Sequence, residues 1–296
     1  MTSTPESISG TGARPWGQGN GSIAAALIAA RGLVASGEAR LLLRHVLGRT
    51  AAWLEAHRDG ALAAESSARF AELVRRRAEG EPIAYLTGSR EFFGRDFAVT
   101  PDVLIPRPET ELLVEIVAAR MHRVSSPRLL DLGTGSGCIA VTLALELEGA
   151  EVTAVDVSPA ALELARRNAA RHGVAIRCLH SDWFAGLGDA RYRLIVANPP
   201  YIAALDPHMT QGDLRFEPRQ ALAGGNDGLA AIARIVAGSA QHLLPSGELW
   251  FEHGYDQAES ARKLLEQAGF SGVEQHRDLA GIVRVSGGRL GAARSS

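Results

Sequence analysis

From Arg128 onward the sequence alternates between short apolar runs and longer amphipathic stretches, and this alternation restricts the possible folds more than any other feature. Leu129 to Leu132 reads as a buried strand, Gly133-Thr134-Gly135-Ser136-Gly137 as a glycine loop and Cys138 to Leu147 as a helix. Glu151 to Val157 is the next strand, after which Ser158 caps and Pro159 starts a helix that Gly173 closes. Ile176 to Leu179, Leu194 to Ala197 and Leu249 to Phe251 supply further strands, with helices near Leu229 to Leu243 and Gln257 to Ala268. Val273 to Gln275 and Ile282 to Val285 suit an antiparallel closing edge. Repeated strand-helix units predict an α/β fold, a doubly wound, mostly parallel sheet with helices on both faces.

Upstream the pattern changes. From Ser22 to about Glu79 it is helical, with Leu41, Leu42, Val46 and Leu47 at helix-face spacing, and Gly80-Glu81-Pro82 ends it. Several short helices there predict a small bundle suited to packing or docking a partner. Aromatic residues on both sides of Gly94-Arg95-Asp96 predict a β-hairpin. Pro108 suits a helix's first position, and Glu109 and Glu111 its positive end, for a helix running through Ala119. The organisation read from the sequence is a disordered tail over 1–20, a helical domain over 21–80, a hairpin linker over 81–106, the α/β domain over 107–288 and a flexible tail over 289–296.

In an open α/β sheet, ligands bind beyond the carboxyl ends of the strands, so residues there carry the functional reading. The run Leu194 to Ala197 is stopped by Asn198-Pro199-Pro200-Tyr201. Proline has fixed φ and no N–H, so this corner offers backbone carbonyls on a stiff turn, and Asn198 adds a side-chain oxygen. Two neighbouring acceptors grip an NH2 group, and Tyr201 offers a face for a planar group; the same residues also suit a simple strand-ending turn. Asp156 ends the second strand, where an acidic side chain accepts from ribose hydroxyls or caps the next helix. Asp182-Trp183 follows the third strand and suits an adenine ring with its amine, or domain packing. The loop Gly133 to Gly137 lets backbone approach a ligand, but its GxGxG spacing is neither the dinucleotide fingerprint GxGxxG nor a P-loop. Ribose and adenine partners without a phosphate cradle, beside a grip for NH2, point to S-adenosylmethionine and N-methylation.

Composition narrows the alternatives. The 296 residues are 46% hydrophobic and 22% charged with net charge −2 and no long Lys/Arg block, which argues against a protein that holds nucleic acid chiefly through phosphates. Two cysteines, Cys138 and Cys178, support neither a disulfide framework nor a zinc site, and the nine histidines show no metal-ligand spacing, so no metal is expected. No apolar segment has the length to cross a bilayer, and no basic region precedes Ala24 to Val34, so a cytoplasmic location without membrane contact is expected.

These residues also carry a resemblance. Asp131-Leu132-Gly133-Thr134-Gly135-Ser136-Gly137, Asp156, Asp182-Trp183-Phe184 and Asn198-Pro199-Pro200-Tyr201 resemble class I S-adenosylmethionine-dependent methyltransferases acting on planar nitrogen. Pro82 to Gly88, Arg90-Glu91-Phe92, Leu104 to Glu111, Arg215-Phe216-Glu217-Pro218 and Gly224-Gly225-Asn226-Asp227-Gly228 resemble, within that group, the peptide chain release factor glutamine methyltransferase family. One departure is Ile282-Val283, where the family usually carries a charged pair.

The resemblance implies a seven-stranded class I methyltransferase sheet and, as acceptor, the side-chain amide of the glutamine in the Gly-Gly-Gln loop of class 1 release factors. It implies that Gly133, Thr134, Gly135, Ser136, Gly137, Asp156, Asp182, Trp183 and Asn198 hold S-adenosylmethionine, with S-adenosylhomocysteine as product. Asn198, Pro199, Pro200 and Tyr201 then hold the substrate: the Asn198 oxygen and Pro199 carbonyl accept the two amide hydrogens, and Tyr201 packs on the amide plane. Neither Asp182 nor Glu252 is expected to act as a base, and Arg107, Glu109, Thr110, Arg215 and Glu217 suit ordering the cleft or forming local salt bridges. A monomer without a direct nucleic-acid substrate is expected; the competing reading is an adenine-N6 methyltransferase gripping a flipped base at the same corner.

Overall fold

The computed structural model describes residues 21–291, and the chain divides after Thr87 into two compact units. The expected tail over 1–20 lies outside the described residues.

Among the described residues the first unit has five helices: α1 Ile23–Ala29, α2 Ser36–Leu47, α3 Ala51–Ala56, α4 Ala64–Ala78 and α5 Ile83–Thr87. Ser22 and Thr50 cap α1 and α3 by accepting from the Ala25 and Trp53 N–H groups, each at 3.2 Å. In α2 the buried face is Ala39, Leu42 and Leu43, packed with Phe70, Leu73 and Val74 of α4, while Leu41 is exposed. A 3.6-residue period turns position 41 away from positions 39, 42 and 43, so the expected apolar face is rotated. The unit also continues past its expected end at residue 80: Pro82 immediately precedes a fifth helix, whose Leu86 joins the same core.

The second unit opens with the hairpin β1 Ser89–Phe92 and β2 Arg95–Ala98. Its turn is Phe93-Gly94, both with positive φ (52° and 69°), the two-residue geometry whose twist matches paired strands. Arg95 and Asp96, expected in the turn, belong to the strand. After α6 Glu109–Met121 come β3 Arg128–Leu132, α7 Cys138–Glu146, β4 Glu151–Asp156, α8 Pro159–Arg171, β5 Arg177–His180 and β6 Tyr192–Ala197. The short α9 Arg219–Leu222 is followed by α10 Ala230–His242, β7 Leu243–Glu252, α11 Ala258–Gln267, β8 Phe270–Arg277 and β9 Val283–Leu290.

Seven of these strands form one sheet in the order β5-β4-β3-β6-β7-β9-β8, parallel except for β9, which runs against both neighbours. Alternate side chains feed the two faces. Leu129, Leu194 and Val196 pack with Leu113 and Val117 of α6 and Ile139 of α7, whereas Leu130, Ile195 and Ala197 pack with Ile232 of α10 and Leu265 of α11. Burial on both sides is why these strands read as unbroken apolar runs.

β9 extends to Leu290, so residues 289 and 290, expected in a flexible tail, belong to a strand; 292–296 lie outside the described residues. A Cβ on Gly287 would stand 2.3 Å from the Trp250 ring, so that strand position takes glycine because the neighbouring indole lies against its backbone. No helix among the described residues is long and apolar enough to cross a membrane.

Candidate active site

Parallel pairing of β5, β4, β3 and β6 brings the loops after all four strands to one sheet edge. There they line a cavity of about 670 Å³ together with residues of 101–107 and 218–234. Gly133, Thr134, Gly135 and Ser136 border it, as do Asp156, Asp182, Trp183, Asn198 and Pro200. Gly137, Pro199 and Tyr201, also expected at the site, are not among its lining residues.

The glycine loop is fixed by its neighbours. The Gly133 and Thr134 N–H groups both donate to the Val155 carbonyl, at 2.8 and 2.9 Å. The Thr134 hydroxyl donates to Asp131 at 2.6 Å, and burial pushes the fully enclosed Asp131 carboxyl up to about 7 while that bond pulls it down. Gly133 has φ 73°, and a Cβ there would stand 3.5 Å from the Trp183 ring, so the indole lies across bare backbone. Gly137 packs against a neighbouring helix. At φ 79° its α-carbon meets α8, and a Cβ would stand 2.9 Å from that of Ala165. It lets the start of α7 close on α8.

Asp156 joins the glycine loop to the next helix. One carboxylate oxygen accepts from the Gly135 N–H at 2.9 Å and the other from the Ser158 N–H at 2.8 Å, tying the glycine loop to the start of α8 while lining the cavity. Burial raises its pKa, and the two N–H donors act against that. Asp182 is half exposed and accepts from Arg234 of α10 at 2.9 Å.

At the proline corner the geometry is a chain of hydrogen bonds. The Asn198 Nδ2 donates to Thr110 Oγ1 at 3.0 Å, Thr110 donates to Glu252 Oε2 at 2.6 Å, and the Tyr201 hydroxyl donates to Glu252 Oε1 at 2.9 Å. Asn198 Oδ1 is buried and accepts no hydrogen bond among the described residues. Burial pushes the Glu252 carboxyl above its ordinary range, whereas the two hydroxyl donors and Arg284 pull it down. The Tyr201 ring is partly buried against the core cluster on that face of the sheet, and its hydroxyl is committed to Glu252.

The corner is braced from behind. The Ile202 N–H donates to the Leu222 carbonyl at 3.0 Å, the Gly224 N–H to that of Ile202 at 2.8 Å, and Gln257 Nε2 to that of Tyr201 at 3.0 Å. The buried Glu217 accepts from the Ile105 N–H at 3.0 Å and pairs with Arg107, tying the segment before α6 to the segment before α9.

Among the partnerships that escaped the sequence reading are Glu252 with Thr110 and Tyr201, Asn198 with Thr110, and Asp182 with Arg234. A signal existed for the first, because Glu252 ends the apolar run Leu249-Trp250-Phe251, and a carboxylate at a buried strand end requires donors. Arg234 lies on an ordinary amphipathic helix and gave none.

A family model described as "PrmC N-terminal domain" matches residues 23–88, and one described as "Methyltransferase small domain" matches residues 108–214. A release factor glutamine methyltransferase of Bordetella pertussis is 58% identical over 254 residues, covering 86% of this chain and 94% of the relative. One of Burkholderia pseudomallei is 56% identical over 260 residues, covering 86% and 91%. The chain belongs to the release factor glutamine methyltransferase family. Among solved structures, a 16S rRNA N2 G1207 methyltransferase of T. thermophilus, in complex with AdoMet and guanosine, covers 68% of this glutamine methyltransferase-family chain and 49% of its own. At 23% identity and a TM-score of 0.51, that likeness is one of fold.

Proposed function

We propose that this member of the family transfers a methyl group from S-adenosylmethionine to the side-chain amide nitrogen of the glutamine in the Gly-Gly-Gln loop of class 1 release factors, in the cytoplasm, leaving S-adenosylhomocysteine. The observation that carries the reading is Asn198: a cavity-lining amide whose NH2 is committed to Thr110 and whose buried oxygen has no partner. A buried acceptor left open costs about 1–3 kcal/mol, so it calls for a donor from a ligand.

The cavity suits the cofactor. Its volume of about 670 Å³ is in the range for small-molecule sites. The Asp156 oxygens each keep a lone pair beyond the N–H bonds they accept, which suits ribose hydroxyls, and the Trp183 ring over Gly133 suits an adenine face. When bound, S-adenosylmethionine supplies an electrophilic methyl on a sulfonium sulfur.

The chain's own residues then prepare the acceptor. An amide nitrogen is a poor nucleophile because its lone pair is delocalised into the carbonyl. In this reading the Asn198 oxygen and the Pro199 carbonyl accept its two hydrogens, which enriches the nitrogen and aims it. The N–H becomes acidic as the new N–C bond forms and the methyl–sulfur bond breaks, so its proton passes to water and no strong base is needed. Both Glu252 oxygens already accept from hydroxyls and Asp182 pairs with Arg234, which agrees with neither being one. Tyr201 braces the corner through Glu252, and Pro200 contributes cavity wall.

Incubation with release factor and isotopically labelled cofactor, followed by mass spectrometry of the Gly-Gly-Gln peptide, tests this. Label on the glutamine is expected; label only on adenines of duplex DNA added in parallel would favour the adenine reading.

A further inference from the structure

The chemistry of Asn198 depends on which arm of its amide is free, because the oxygen accepts an N–H and the nitrogen repels one. We propose that Thr110 and Glu252 are positioning residues that set this polarity, holding the Asn198 amide so that its oxygen, and not its NH2, is offered to the substrate. The proposal rests on the reading of Asn198 as the acceptor for a substrate NH2.

The polarity follows from a count of protons. Glu252 ends β7 and is 1% exposed, Thr110 lies in the first turn of α6 and is 2% exposed, and Asn198 follows β6. The Tyr201 and Thr110 hydroxyls approach different oxygens of Glu252, and a carboxylate can only accept. A threonine hydroxyl has one proton, and at 2.6 Å it goes to Glu252 Oε2. Thr110 Oγ1 therefore faces Asn198 as an acceptor, and Nδ2 meets it at 3.0 Å. The reversed amide would set Oδ1 against Oγ1 with no proton between them. Without the carboxylate, Thr110 would be free to donate to Asn198, and both amide orientations would be satisfied. The charge at one end of the chain thus fixes the direction of each bond up to the cavity, and Oδ1 is left without a partner as a consequence.

The test uses the full-length protein labelled with 15N-asparagine, with the Asn198 side-chain signal assigned by its loss in Asn198→Ala. Two readouts are taken, solvent exchange of the Asn198 NH2 protons and kcat with release factor and cofactor. The wild type and Thr110→Ser, which keeps the hydroxyl, should protect the NH2 protons and agree in kcat within about threefold. Thr110→Val should speed their exchange about tenfold or more and lower kcat by on the order of 10–100-fold, as loss of a supporting contact around a site does, with cofactor Kd unchanged. Thr110→Ala serves if the valine variant does not fold. Slow exchange and normal kcat in Thr110→Val would overturn the proposal, as would a loss in Thr110→Ser equal to that in Thr110→Val. A wild type that protects the NH2 protons yet leaves release factor unmethylated would overturn the substrate reading instead, with the polarity measured.

Discussion

Replacing Tyr201 by phenylalanine removes one oxygen and keeps the ring, so it separates a stacking platform from a brace. A platform would tolerate the change. Here the phenol donates to the buried Glu252 at 2.9 Å, and its loss leaves one carboxylate oxygen without a donor. Hydrogen bonds to charged groups contribute about 1.5–3 kcal/mol, and a unit of this size loses about 2–4 °C in Tm per kcal/mol, so Tm should fall by about 3–12 °C. Activity should change with pH as well. Burial holds Glu252 above the ordinary carboxylate range; the Thr110 and Tyr201 donors and Arg284 act against that, and Glu109 adds to it. A group so raised is neutral below its pKa, so activity that needs the carboxylate falls as pH drops through that value. Removing the Tyr201 donor raises the value further, and the acid limb of kcat should move to higher pH. Calorimetry and kcat–pH profiles of both proteins measure the two effects. A Tm within about 1 °C of wild type together with an unmoved acid limb would refute the reasoning.

Three further outcomes follow from the site. Asn198→Ala should lower kcat about 100-fold or more with cofactor binding retained, as loss of other oriented polar groups does, measured by turnover and titration calorimetry. Gly137→Ala should destabilise the protein by about 2–5 kcal/mol in urea unfolding, because φ 79° disfavours a Cβ and the new atom would stand 2.9 Å from Ala165. Asp156→Ala strips the Gly135 and Ser158 N–H groups of their acceptor and should weaken cofactor binding about tenfold or more in the same calorimetry.

The sheet was legible wherever burial on both faces wrote an apolar run, as in Leu129 to Leu132 and Leu194 to Ala197. It was less legible at β9, since Gly287-Gly288 resembles a turn until the Trp250 ring is seen against it. The helix after Pro82 was hidden for a similar reason, because Gly-Glu-Pro reads as a stop although proline also suits a helix start. At the site, strand ends could be read because their position follows from topology. Their partners could not: Thr110 lies 88 residues before Asn198, and Glu252 51 residues after Tyr201, distances across which local pattern carries no information. Tyr201 shows the limit best, since nothing in the local pattern of an aromatic beside two prolines says that its hydroxyl donates to Glu252.

The central claim is that Asn198 offers its oxygen to the substrate nitrogen. A structure of the protein with S-adenosylhomocysteine and a Gly-Gly-Gln peptide measures it directly. The glutamine side-chain nitrogen is expected at about 2.7–3.2 Å from Asn198 Oδ1, with Nδ2 still on Thr110. A glutamine amide bound elsewhere, or an Asn198 whose NH2 faces it, would contradict the claim.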